Sequence, residues 1–237
     1  MNRWSWPLAL LVLLGCWAWG QVPLAPAVPA DEVLQLVQGL AIPDDLKAQV
    51  QAELVAAMAE GRLTPGVAYA FLSEVQSLSP GEQTDAMAML VHALQGGFIL
   101  DPLLNEALKG LRLNRPWPEV AGVLGLRINL LVAAQQVLGS QGLLASPAPR
   151  YGFRTTSASS PPPTAELVLE TAWAIGDFLV AGGSPADLIP MTSLVETRLS
   201  RLRDRILPAE LVDPVLEALS PALIQEIVEL ALNPERR

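Results

Sequence analysis

Residues 64–102, TPGVAYAFLSEVQSLSPGEQTDAMAMLVHALQGGFILDP, decide the fold. Three times in this stretch a capping side chain precedes proline: Thr64-Pro65, Ser79-Pro80 and Asp101-Pro102. A Ser, Thr or Asp oxygen at a helix N-cap accepts a hydrogen bond from an N–H that the helix itself leaves unpaired. Proline at the next position has no N–H to strand, and its fixed φ suits the first turn. Glu82 stands three residues beyond Ser79, the spacing of a capping box. The same device recurs further along at Ser184-Pro185, Asp213-Pro214 and Ser220-Pro221. One pair is a weak signal, but six along one chain predict many short helices.

Hydrophobic periodicity agrees. Leu46, Val50, Leu54, Ala57 and Met58 fall on one helical face, as do Val195, Leu199, Leu202 and Ile206. No segment alternates like a strand between hairpin turns. The longest apolar stretch, Glu119 to Leu138, carries Arg127, Asn129, Gln135 and Gln136, which fits a buried helix better than a membrane span. The expected fold is all-α, a bundle or irregular array of about nine to ten short helices, mostly antiparallel neighbours because their connections are short. Pro-containing turns at 114–118 and 182–185 echo one another without a matching repeat, so an α-solenoid is the lesser option.

Composition divides the chain into a leader at 1–20, a Pro/Ala spacer at 21–30, helical pattern over 31–145, a Pro/Ser/Thr-rich linker at 146–163 and a helical subdomain over 164–237. The leader has Asn2 and Arg3, an apolar run from Trp4 through Leu14, and then Gly15-Cys16 and Ala18-Trp19-Gly20. It resembles a bacterial signal peptide, and the run is short for a retained anchor helix. Small residues at Ala18 and Gly20 suit an ordinary cut before Gln21. Leu13-Leu14-Gly15-Cys16 resembles a lipobox, which gives the alternative of a lipidated Cys16 as the new N-terminus. Cys16 is the only cysteine of the chain, so the processed protein holds no disulfide.

The whole chain carries a net charge of −9, and residues 63–108 contain no Lys or Arg. Phosphate binding rests on basic patches, so nucleic acid is not an expected partner, and a membrane is expected only through a lipid on Cys16. Four of the six tryptophans lie in the leader, leaving Trp117 and Trp173, too few aromatics for a stacking platform.

Chemistry finds few candidates. The one histidine, His92, lies in an apolar helix and reads as packed or at a rim. Ser140 lacks the spacing of a nucleophile elbow and reads as a polar helix end. Asp44-Asp45 follows Pro43 at a helix start, where negative charge meets the positive end of the dipole. Neither a zinc nor a calcium motif is present, and no cofactor is expected. Glu166 and Glu170, followed on the same helix by Trp173 and Asp177, form the one constellation able to raise a carboxyl pKa for glycoside cleavage. An acidic stripe beside a core tryptophan is the plainer account.

Two further features are candidate contacts with a protein partner. Arg198, Arg201 and Arg205 form a narrow basic stripe suited to an acidic face. Tyr151 and Phe153 place two aromatics in the linker, which either pack back or meet a partner. The expected function is that of an exported, non-enzymatic helical protein serving as an interaction or scaffold component of a bacterial cell envelope. The competing readings are a carboxylate-dependent envelope hydrolase and a carrier of a small hydrophobic ligand.

Overall fold

The structure, a computed structural model, describes residues 28–144, 163–205 and 207–236, without the side chains of Arg205 and Arg236. Cys16, Gly20, Gln21, Tyr151 and Phe153 lie outside the described residues. Among those described there are ten α-helices and no strand, so the all-α fold is the observed one. The helices are α1 (Ala30–Gly39), α2 (Asp44–Ala59), α3 (Pro65–Val75), α4 (Pro80–Gln95), α5 (Asp101–Arg112), α6 (Trp117–Ser140), α7 (Pro163–Val180), α8 (Leu188–Arg205), α9 (Ala209–Ala218) and α10 (Pro221–Leu232). A short 3₁₀ turn, Pro234–Arg236, follows the last of them.

Proline governs the helix starts by two devices, of which the sequence reading found one. Pro65, Pro80 and Pro221 open α3, α4 and α10 as expected. Ser79 and Glu82 complete their capping box, and Ser220 Oγ accepts the Leu223 N–H. The hydrogen bonds from Ser79 hold the Glu82 carboxyl below its ordinary pKa. In α1, α2, α6 and α9 the proline stands one place earlier, at the N-cap itself: Pro29, Pro43, Pro116 and Pro208, each with extended ψ near 145°. Proline there fixes φ and turns the chain into the helix without any side-chain hydrogen bond.

Two of the six expected starts are corrected, and at a third, Asp101-Pro102, Leu100 is the cap and Asp101 the first residue of α5. Ser184-Pro185 forms a turn, with Ser184 Oγ accepting the Ala186 N–H, and α8 begins only at Leu188. Pro214 lies inside α9, whose start Pro208 already supplies, and Asp213 accepts from Arg203 instead of capping. Pro214 is exposed, which leaves water free to take the Glu210 carbonyl that its missing N–H releases.

Packing order departs from the expected run of sequential neighbours. In the first half α1 also touches α2, but the helices otherwise pack on their next-but-one neighbours: α1 on α3, α2 on α4, α3 on α5 and α4 on α6. Polar clasps between turns hold this order. Gln83 is 6 % exposed; its Oε1 accepts the Ala41 N–H at 2.8 Å, and its Nε2 donates to the Leu78 carbonyl at 2.9 Å and the Gln76 carbonyl at 3.2 Å. One amide thus joins the α1–α2 connection to the α3–α4 turn. Buried Arg62 does the same one step on. It donates to the Leu94 carbonyl at 3.2 Å, while its own carbonyl accepts the Leu100 N–H at 2.8 Å. Gly61, at φ 69°, supplies the left-handed turn that ends α2 and brings Arg62 into place. Beside it Asp101 Oδ1 accepts the Thr64 N–H, again at 2.8 Å.

The second half follows the chain more closely. Helix α6 packs on α5, α7 and α10, α7 on α8, and α8 on α9 and α10. By length and composition α6 is the one helix among the described residues able to cross a membrane. In the fold it is the central core helix. Leu130, Leu131, Ala133, Ala134 and Leu138 are wholly buried, and the Trp117 indole N–H donates to Asp85 at 2.7 Å. One continuous apolar cluster includes residues from both sides of the 145–162 segment, since α6 precedes it and α7 and α10 follow.

Truncating a side chain at this centre removes both buried surface and packing. Leu131→Ala is expected to cost about 2–5 kcal/mol, and Leu113→Ala, at a site 63 % exposed, within about 0.5 kcal/mol. Urea midpoints of the two variants check the difference; equal midpoints would contradict a core centred on α6.

Candidate functional site

Glu166, Glu170, Trp173 and Asp177 of α7 stand four, three and four positions apart, and so share one helical face. That face meets Arg127 from α6 and Arg198 from α8. The Arg127 side chain is 3 % exposed. Its Nη2 donates to Asp177 Oδ1 at 2.6 Å, and its Nη1 donates to the Trp173 carbonyl at 3.0 Å. The guanidinium also lies over the Trp173 ring, 4.5 Å from the centroid, a contact worth about 0.5–2 kcal/mol. Arg198 donates through Nη2 to the second oxygen of Asp177 and through Nη1 to Glu170 Oε2 at 3.1 Å. Asp177 therefore gives one oxygen to each arginine and links three helices.

Gly176 makes the arrangement sterically possible. A Cβ at this position would stand 2.2 Å from Arg127 Nη1 and 3.0 Å from its Cζ. Only a bare backbone lets α7 close over the guanidinium. The fit is not complete, because Arg127 Nε and Thr171 Oγ1 are buried without a hydrogen-bond partner.

Glu166 is the surplus charge. Two guanidinium groups face three carboxylates, and Glu166 makes neither of the arginine pairs. Burial, and then the charge of Glu170, push its carboxyl above the ordinary value of 4.5. This is the direction a general acid requires, but Glu170 and Asp177 are engaged with arginine donors. Neither the groove that Glu106, Leu113 and Val180 line with their neighbours nor the recess beside Met89 and His92 includes Glu166, Glu170 or Asp177. The constellation read from the sequence is thus a bridge between helices, formed because arginines from two neighbours enter it.

The other candidates are placed as follows. Arg198 turns inward beside buried Val195, Leu199 and Leu202, whereas Arg201 is exposed and the Arg205 side chain lies outside the described residues. Arg203, absent from the sequence candidates, donates to Asp213 at 3.3 Å and ties α8 to α9. His92 is exposed and borders a shallow recess with Met89, Gly125 and Ile128. Asp44 opens α2 and pairs loosely with Lys47 at 3.8 Å. Ser140 Oγ donates to the Val137 carbonyl at the end of α6. Among the described residues no three His, Cys, Asp or Glu side chains converge as a metal site.

Sequence reasoning treated Arg127 only as an argument against a membrane span and missed its role in the site. The signal was present: a lone arginine among apolar residues must find a counter-charge. What the sequence lacked was any means to choose Asp177, fifty residues away, from the other acids. Comparison with known proteins adds no further assignment, since no protein-family model, curated protein or solved structure matches the chain.

Removing one partner of a buried ion pair strands the other charge. Asp177→Asn is expected to destabilise towards the lower end of about 3–5 kcal/mol, because Asp177 is itself 41 % exposed. Arg127→Met replaces the buried charge by an apolar chain and leaves Asp177 paired with Arg198, so it should cost clearly less. The reverse order in urea unfolding would refute the assignment of Arg127 as the buried charge. Glu166 gives a pH signature of its own. Its native pKa is raised, so the ionised form penalises the fold at neutral pH, and the penalty fades as pH falls through that value towards 4.5, where the unfolded chain also protonates. Glu166→Gln is therefore expected to raise the urea midpoint at pH 7, with an advantage that shrinks on acidification. An advantage that grew instead would contradict the raised pKa.

Proposed function

We propose that this is an exported, non-enzymatic helical protein acting as an interaction or scaffold component of a bacterial cell envelope. The observation that carries this reading is the engagement of the α7 acids. Asp177 and Glu170, which a hydrolase would need free, accept hydrogen bonds from Arg127 and Arg198 and join helices. The leader residues Met1–Gly20 supply the export half of the proposal. Surface for a contact is available on α8, where Ile189 is 77 % and Leu194 41 % exposed and Arg201 is solvent-facing. Ile189 is the most exposed large apolar residue among those described. Exposed apolar side chains and arginine are both common at protein contacts.

Two measurements on the protein in its native host test the reading. Intact mass is expected to begin at Gln21, or at an acylated Cys16 in the anchored form; an unprocessed Met1 in the cytoplasm would defeat the export half. A photo-crosslinking residue at position 189 is expected to give a discrete adduct with an envelope protein, while the same residue at exposed position 52 on α2 gives none. Cleavage of envelope polymers that disappears in Glu166→Gln or Glu170→Gln would replace the scaffold by the hydrolase.

A further inference from the structure

A groove of about 340 Å³ lies where the second half of α5, the turn after it, the first two turns of α6 and the last residue of α7 meet. Its apolar members include buried Ala107, Val120 and Leu124, together with Leu113 and Val180. Gly110 fixes the floor: a Cβ there would come within 2.8 Å of Val120 Cγ2, so bare backbone lets α5 and α6 close beneath the groove. Leu113, 63 % exposed, and Val180, 45 % exposed, are two of the six large apolar residues left in solvent among those described, and both line this one groove. Exposed apolar surface gathered at a preformed concavity is the usual composition of a small-molecule site.

Charge narrows the occupant. The polar members are Glu106, Lys109, Arg115 and Glu119, two acids and two bases, with Arg115 and Glu119 already paired at 3.6 Å. This rim is neutral in sum, so it draws neither an anion nor a cation, and the chain's net −9 disfavours anions further. Volume narrows it again, since about 300–1,000 Å³ is usual for small-molecule sites and this groove falls at the small end. A diacyl lipid or a folded partner does not suit it.

We propose that the groove binds a small uncharged amphiphile, a single short acyl chain or single ring system whose neutral polar end meets the rim of Glu106 and Lys109. This site is independent of the α8 contact surface and of any export, and its test does not depend on either.

The test uses the full chain and N-phenyl-1-naphthylamine, a neutral apolar fluorophore, with 1-decanol, decanoate and decylammonium as competitors. Saturable binding is expected, with 1-decanol displacing the probe at concentrations about tenfold lower than either charged analogue. The double variant Leu113→Asn/Val180→Asn should weaken the probe by about tenfold. Ile189→Asn, at an exposed apolar residue elsewhere, should leave it unchanged, and far-UV circular dichroism confirms equal helicity. Probe binding that never saturates would overturn the proposal, as would charged competitors matching decanol. Equal weakening by Ile189→Asn would overturn it too, by showing non-specific surface adsorption.

Discussion

A guanidinium held in the apolar centre of the longest helix constrains much of the second half of this molecule. Arg127 loses several kcal/mol of hydration on burial, and only an opposite charge in good geometry offsets that loss. Asp177 supplies the charge, the Trp173 carbonyl a further acceptor, and the indole face a surface on which the cation is tolerated. Each of these comes from α7, and together they favour the register at which α7 lies against α6. Gly176 is the steric condition for that register. Arg198 then brings α8 to the same carboxylate, so one aspartate positions three helices.

The first half solves its packing by different means. No ion pair of comparable burial joins α1 to α5 among the described residues; Arg62 meets an exposed carboxylate of Glu60 but otherwise addresses backbone carbonyls. Apolar faces such as Val33 and Val37 on α1 or Phe71 and Leu72 on α3 provide the adhesion. Direction comes from the turns, where Gln83 and Arg62 fasten each connection to the next but one. This explains why, among α1 to α5, next-but-one pairs prevail over the sequential contact of α1 with α2. A turn fastened to the turn two steps on directs its helices onto the helices beyond, while α1 and α2 keep a contact of their own.

Much of the fold was legible because its determinants are local. Capping residues, prolines and apolar periodicity act within one or two turns, and from them the helical content and most starts could be read. The misreadings have local causes as well. At Ser184-Pro185 and Asp213-Pro214 the motif was real, but the side chains found other partners, a turn amide in one case and Arg203 in the other. The site was half legible. Glu166, Glu170, Trp173 and Asp177 were found together because helical spacing places them so. Arg127 was out of reach, since its partner is chosen by tertiary packing. Arg198 was assigned to the surface because its inward turn depends on α7 lying beside it.

The turn clasps have a consequence for what the chain must encode. Gln83 Nε2 and Arg62 Nη1 donate to main-chain carbonyls of Gln76, Leu78 and Leu94, and Gln83 Oε1 accepts the main-chain amide of Ala41. A carbonyl is supplied by any residue and an amide by any but proline, so the receiving side of each clasp is blind to side-chain identity. The polar contacts that order these helices are therefore concentrated in very few side chains, and what restricts the sequence of the gripped turns is their own buried residues, such as Leu40, Leu94 and Leu100, not the clasps.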